Sequence, residues 1–464
     1  MITSREMRII DMNCEFFGLN RIQLMENAGK AVADEIVKRF EPCKVTVVAG
    51  PGNNGGDSFV AARHLRGFDV EVYVVERVKS MEAKKNLEIL ERAGFKIFEG
   101  VPRSFGEVVV DGMFGTGFKG FPREPFSSAI DEINKSGAFV VSVDIPSGLD
   151  ADTGKYSKAV KANLTVTFHK IKPGIIKAKE ICGEVVVANI GIPETFEKIC
   201  GIGDVVECYK RFPDAHKGMH GRVLVVGGGE YTGAPALASL ASLAAGADVV
   251  TTVVPEKIRS IVASFSPNLI VRGIDFRLEN LKHFEELVKK HHVMVAGMGV
   301  GDESFKEFVS ELLKSCKKAV LDAQGIIDDV PENVECVMTP HRGEFRKVFG
   351  DLDVRDAARK SKSVILLKGR EDVITDGERI KVNRSGNPGM TVGGTGDVLA
   401  GVVGAFMCND DAFHAACASA FLNGFAGDMC CEKIGYNFTA MDLINEIPKA
   451  IKKCFELAKV LPYK

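Results

Sequence analysis

Apolar residues recur along this chain in two alternating patterns. Short apolar runs at residues 44–49, 70–75, 107–110, 139–143, 164–168 and 184–187 read as strands. Between them, residues 23–40, 58–65 and 82–93 carry apolar positions at helical spacing. Strands alternating with helices predict a mostly parallel sheet with helices on both faces. Ligands bind such a sheet at the carboxyl ends of its strands. Asp111 and Asp144 each follow an apolar run and so fall at that rim.

The regularity lapses over residues 194–217, where Phe212-Pro213-Asp214 punctuates the chain. A domain boundary near Cys208 is expected, giving domains 1–208 and 209–464. The pattern then restarts, with strands at residues 221–226, 248–254, 293–296, 319–322, 337–339 and 364–368. Residues 373–375 and 379–382 flank Asp376-Gly377 as a hairpin. Helices are predicted over 234–245, 397–407, 412–431 and 442–457. The expected fold class is α/β in two domains, the first a Rossmann-like parallel sheet.

Bulk properties narrow the function classes. The 464 residues are 45% hydrophobic and 26% charged, as in an ordinary protein with sizeable cores. A formal net charge of -2 gives no global pull toward nucleic acid or anionic membrane. No apolar run reaches the roughly 18 residues of a membrane span, and residues 1–20 lack a signal-peptide core. The 12 cysteines are scattered without zinc spacing, which points to reduced thiols and a cytoplasmic protein.

Two glycine-rich loops carry the candidate chemistry. The first is Gly50-Pro51-Gly52-Asn53-Asn54-Gly55-Gly56-Asp57, the second Gly393-Gly394-Thr395-Gly396-Asp397. Backbone N–H groups in such loops can face an anion. Gly50, Gly52 and Gly55 satisfy a dinucleotide fingerprint, and Glu76 stands where a ribose-binding acid would, so a dehydrogenase is one reading. The two amides and the acid of Asn53 to Asp57 favour a polar substrate site with a cation instead. The plain alternative is a tight turn with Asp57 as a helix cap. Asn54, Asp111 and Ser147 are hard oxygen ligands, suited to an alkali or alkaline-earth ion rather than zinc. In the second loop, N–H groups of Thr395, Gly396 and Asp397 can surround a phosphoryl oxyanion. Asp397 is expected to act as base, with the helix dipole favouring its ionised form.

The GPGNNGGD, VDGMFGTG and SVDIPSGLD segments resemble the NAD(P)H-hydrate epimerase family over roughly residues 1–205. That resemblance implies substrate binding by Asn53, Asn54, Gly55, Gly56 and Asp57. It implies phosphate contacts along Gly115, Thr116, Gly117, Phe118, Lys119, Gly120 and Phe121. It implies a potassium ion at Asn54, Asp111 and Ser147, and an acid–base role for Asp144. Ser58 departs from the glycine common in that family.

The VLVVGGG, YTGAP, TPHRGE, LLKG and GGTGDVLAG segments resemble the ribokinase-like ADP-dependent NAD(P)H-hydrate dehydratases, over roughly residues 210–464. By that resemblance Ala234, Gly299 and His341 contact the hydrated nucleotide and Asp397 is catalytic. Lys368, Gly369, Arg370, Glu371, Asp372 and Gly396 line the ADP site, where magnesium is also expected. Together the two resemblances imply repair of hydrated NADH and NADPH: epimerisation of the R and S forms, then ADP-dependent dehydration of the S form to give AMP and phosphate. A homo-oligomer without nucleic-acid or membrane partners is expected. The competing reading is a ribokinase-like small-molecule kinase fused to a non-catalytic nucleotide-binding module.

Overall fold

A computed structural model describes residues 1–461. The chain forms two compact units, Met1–Glu194 and Thr195–Lys464.

The first unit holds seven strands: β1 (Lys44–Ala49), β2 (Asp69–Val74), β3 (Lys96–Glu99), β4 (Val108–Gly112), β5 (Phe139–Val143), β6 (Leu164–Phe168) and β7 (Glu184–Ala188). Their order is β3-β2-β1-β4-β5-β6-β7, and every pairing is parallel. The central strands are apolar because helices cover both sheet faces. Val45, Val47, Val48 and Ala49 of β1 and Val108, Val109 and Val110 of β4 are all fully buried. Strand order reverses between β1 and β4, and crevices form at the carboxyl ends of such a switch point. The first glycine loop leaves β1 there.

The second unit holds nine strands: β8 (Arg222–Val226), β9 (Val249–Val254), β10 (Ile270–Gly273), β11 (Val293–Ala296), β12 (Lys318–Leu321), β13 (Glu335–Met338), β14 (Val364–Leu367), β15 (Asp372–Thr375) and β16 (Ile380–Asn383). They lie in the order β10-β9-β8-β11-β12-β13-β14-β15-β16. Pairing is parallel up to β14, then antiparallel through the expected hairpin. Strand order reverses between β8 and β11, which sets a second switch point. Helices Gly233–Ala244 and Thr395–Met407 pack against each other over this sheet, joined where Ser242 Oγ donates to the Gly401 carbonyl at 2.8 Å.

Several boundaries differ from those read in the sequence. The units divide at Glu194/Thr195, upstream of Cys208, because the intervening segment joins the second sheet. Cys200 N donates to Val382 O at 2.9 Å, Val382 N donates to Lys198 O at 2.7 Å, and Lys381 forms a buried ion pair with Asp204. Helix Ser4–Phe16 was not anticipated, nor were edge strands β3 and β10. Both glycine loops also turn helical sooner than expected. Asn53–Asp57 is the first turn of helix Asn53–His64, and Thr395–Asp397 the first turn of Thr395–Met407.

Candidate active sites

In the first unit, two of the three proposed metal ligands, Asn54 and Ser147, meet at the backbone of Phe114, and the third, Asp111, joins them through Ser147. Asn54 Nδ2 donates to the Phe114 carbonyl at 2.9 Å, and Phe114 N donates to Ser147 Oγ at 2.9 Å. Asp111, fully buried in β4, accepts from Ser142 Oγ and Ser147 N, both at 2.9 Å. The amide oxygen of Asn54 faces the next turn, 3.1 Å from where a Cβ on Gly115 would lie. Burial pushes the Asp111 carboxyl up, against the hydrogen bonds from Ser147, Ser142 and Met113. Among the described residues no Lys, Arg or His pairs with it. A buried carboxylate beside neutral oxygens, with no protein counter-ion, fits a weakly hydrated monovalent cation.

Ser58 explains itself here. Its buried Oγ donates to the Asn54 carbonyl at 2.9 Å, and a Cβ on Gly112 would sit 1.6 Å from that Oγ. The hydroxyl occupies the space that Gly112 leaves open.

Beside this cluster lies a carboxylate group that sequence reading had only half assembled. Asp144 follows β5 with φ of 66°, a left-handed backbone rare outside glycine. Its carboxylate pairs with Lys172, which is 1% exposed. Asp57 is pushed well up, first by burial and then by the charges of Asp144 and Asp11. Burial pushes Asp11, on helix Ser4–Phe16, up to about 7 against the pull of Arg21 and Lys172. Asp11 and Lys172 carried no signal in the sequence: one is among three acids in an unpredicted helix, the other one of two nearby lysines.

The segment Gly115 to Phe121 runs beside the Phe114 knot. Phe118 stacks on Phe114 with ring centroids 4.7 Å apart. Lys119 is engaged by Asp150 at 3.1 Å and Asp152 at 2.9 Å, and Phe121 is 77% exposed.

In the second unit, Gly394 precedes the helix at φ of 96°, and a Cβ there would strike Leu237 at 2.6 Å. That close approach sets the second loop against helix Gly233–Ala244, which bears Ala234. Ala234 and Gly299 adjoin, since a Cβ on Gly299 would come within 3.0 Å of the alanine methyl. Lys368 Nζ reaches the loop, 3.2 Å from where a Cβ on Gly396 would be, while donating to Asp322 Oδ1 at 2.9 Å. The same oxygen accepts from Thr339 Oγ1 at 2.7 Å. Burial works against the Lys368 charge, but Asp322 and Glu344 outweigh it and hold the ammonium above its usual range.

Asp397 departs from expectation. Burial, reinforced by Asp322 and Glu344, pushes its carboxyl up to about 7 and overrides the helix dipole, with Lys368 alone opposing. A base with that value is well matched to neutral pH. His341 caps helix Arg342–Phe349, its Nδ1 accepting from Gly343 N at 2.9 Å and Glu344 N at 3.2 Å. Gly369 N donates to Asp372 Oδ1 at 3.0 Å, while Arg370 and Glu371 are exposed. Asp322, Thr339 and Glu344 are the site members that sequence reading left without a role. Asp322 does follow an apolar run, the same signal that flagged Asp111.

Known proteins resemble the chain on both sides of the division. Residues 21–174 match the family model described as YjeF-related protein N-terminus, and residues 223–449 match that described as NAD(P)H-hydrate dehydratase. The bifunctional NAD(P)H-hydrate repair enzyme of Archaeoglobus fulgidus is 66% identical over 98% of this chain and 99% of its own length. That of Hyperthermus butylicus is 40% identical over 99% of this chain and 94% of its own. In fold, the second unit is similar to the ADP/ATP-dependent NAD(P)H-hydrate dehydratase from Bacillus subtilis, with a TM-score of 0.51 and 23% identity over 55% of this chain and 98% of that one. Among the described residues no helix is long and apolar enough to cross a membrane.

Proposed function

The chain belongs to the bifunctional NAD(P)H-hydrate repair enzymes, and we propose that its two units divide the restoration of hydrated NADH and NADPH as follows. The enzyme is an isomerase and a lyase on one polypeptide, an epimerase followed by a nucleotide-dependent dehydratase. Family membership sets aside the dehydrogenase reading and the kinase–binding-module reading.

The first unit interconverts the R and S hydrates. Asn53 to Asp57 and Gly115 to Phe121 hold the substrate, and Asp144 moves a proton at the hydrated carbon. Asn54, Asp111 and Ser147 hold a potassium ion, which supplies fixed positive charge beside the bound substrate.

The second unit acts on the S hydrate. Ala234, Gly299 and His341 seat the nucleotide, and Lys368 to Asp372 with Gly396 seat ADP. Asp397 takes the proton of the ring hydroxyl as its oxygen attacks the terminal phosphorus of ADP, and AMP leaves. Loss of phosphate and of the neighbouring ring proton then restores the double bond. The carboxylates Asp322, Glu344 and Asp397 outnumber Lys368, which suits a magnesium ion arriving with the nucleotide; it neutralises phosphate charge. ADP is the intended donor, and the Bacillus relative's use of either nucleotide makes ATP the comparison to run. We place the enzyme in the cytoplasm, a reducing compartment that suits 12 cysteines scattered without zinc spacing.

The observation that carries this reading is Asp397 in the first helical turn, poised near neutrality beside Lys368. The test is to supply hydrated NADH with ADP or ATP and follow NADH absorbance. Asp397→Asn should lower the dehydratase kcat by roughly 10²–10⁴-fold while epimer interconversion continues. Full activity in that variant would refute the assignment.

A further inference from the structure

Three carboxyl groups of the first unit meet from separate stretches of chain: Asp11 on helix Ser4–Phe16, Asp57 on helix Asn53–His64, and Asp144 after β5. Lys172 faces them. Its ammonium donates to Asp144 Oδ1, to Thr167 Oγ1 at 3.0 Å and to the Phe168 carbonyl at 2.9 Å. Three hydrogens meet three acceptors, so the group is satisfied and its direction fixed. Burying an ammonium costs several kcal/mol, and an apolar residue of similar volume would fill the space without that penalty.

The partner is equally constrained. Asp144 holds a left-handed backbone, a strained conformation outside glycine that clusters at functional sites. Thr167 Oγ1 and Phe168 N also approach its Oδ1, each at 3.3 Å. Every one of these bonds falls on Oδ1. Among the described residues, Oδ2 receives none. One oxygen is anchored and the other is left for a ligand.

We propose that Lys172 is a positioning residue of the epimerase: it anchors Asp144 through Oδ1 so that Oδ2 serves as the base, with Asp57 as the partner acid. The inference rests on the reading that the first unit interconverts the hydrate epimers. In the reaction the Asp57 carboxyl gives its proton to the ring hydroxyl, the C–O bond breaks and water departs. The ring nitrogen's lone pair forms a C=N bond at that carbon. Water adds to the other face, the new C–O bond forms, the π electrons return to nitrogen, and Asp144 Oδ2 takes the released proton. One water leaves and one enters; one carboxyl loses a proton and the other gains one. The exchanged pair is then set for the reverse conversion or resets through solvent. Lys172 keeps the two carboxyl groups unlike, because its ammonium donates to Asp144, Thr167 and the Phe168 carbonyl and spends all three hydrogens there.

The test uses the full chain, with epimer interconversion read in saturating potassium. Lys172→Met should lower kcat by at least about 100-fold with KM within about threefold. It should also move the alkaline limb of the pH profile to higher pH, since Lys172 opposes the protonation of Asp57, the acid of the pair. Arg21 also pulls on Asp11, and its variant Arg21→Met should leave kcat within about threefold. Lys172→Arg keeps the charge but not the three-acceptor geometry, so it should lower kcat by about tenfold or more with the limb in place. Thermal unfolding reports whether each variant is folded. If Lys172→Met does not fold, Lys172→Arg decides: full kcat there overturns the proposal. A folded Lys172→Met with more than about a third of native kcat, or with an unmoved alkaline limb, also overturns it. If the native chain itself gives no acceleration, the epimerase reading fails rather than the role of Lys172.

Discussion

Replacing Lys368 by methionine removes the one positive charge that opposes protonation of Asp397. The native carboxyl, at about 7, is half ionised at neutral pH. Removing an opposite charge at this range raises a carboxyl by about 1–3 units. The ionised fraction at pH 7 then falls from about a half to between roughly a tenth and a thousandth, so the rate there drops about 5-fold to about 500-fold from protonation alone. The sign follows from the base role: activity is present above the carboxyl's pKa and lost as pH falls through it, so the whole acidic limb moves to higher pH. The variant also leaves Asp322 buried without its cation, a change worth about 3–5 kcal/mol of stability. Lys368→Met with Asp322→Asn removes both charges and should recover much of that loss. The assay is NADH recovery from hydrated NADH at saturating ADP across the neutral range, with epimerisation as the control on the first unit. Lost activity that returns at high pH supports the reasoning. A uniform loss with an unshifted limb would refute it.

Three further outcomes are expected. Exchanging potassium for a bulky organic cation should slow epimerisation and spare dehydration, and Asn54→Ala should weaken the potassium dependence measured by titration. Gly112→Ala drives a methyl into Ser58 Oγ and should cost about 1–3 kcal/mol in denaturant unfolding of the first unit; adding Ser58→Gly should recover part of it. Lys381→Met removes one side of the buried Lys381–Asp204 ion pair and should lower the unfolding midpoint of the second unit.

The sheets were legible because buried parallel strands are continuous apolar runs bounded by glycine and aspartate, as at residues 44–49 and 139–143. Edge strands β3 and β10 were not, since Lys96, Phe98 and Glu99 in one and Ile270 and Arg272 in the other are exposed and break the apolar pattern. The candidate glycine loops were visible through their local chemistry. What escaped was the charge that distant segments bring to them. Asp11, Lys172, Asp322 and Glu344 act through space, and only the folded topology shows which of many acids and lysines is buried beside Asp144 or Asp397. The Asp397 expectation failed for the same reason: a helix dipole can be inferred from local sequence, whereas burial among carboxylates cannot.

The segment that joins β16 changes what it means to cut this protein in two. Lys198 to Cys200 pairs along β16 and so covers the open edge of the nine-stranded sheet, while Asp204 neutralises Lys381 on that same strand. A polypeptide starting at residue 209 would bare that edge, a ready template for intermolecular strand pairing. One starting at residue 195 would keep its own hem. The cut that spares the second unit therefore lies ahead of the irregular stretch, and a fragment meant to carry this unit alone needs the hem to keep its sheet edge covered.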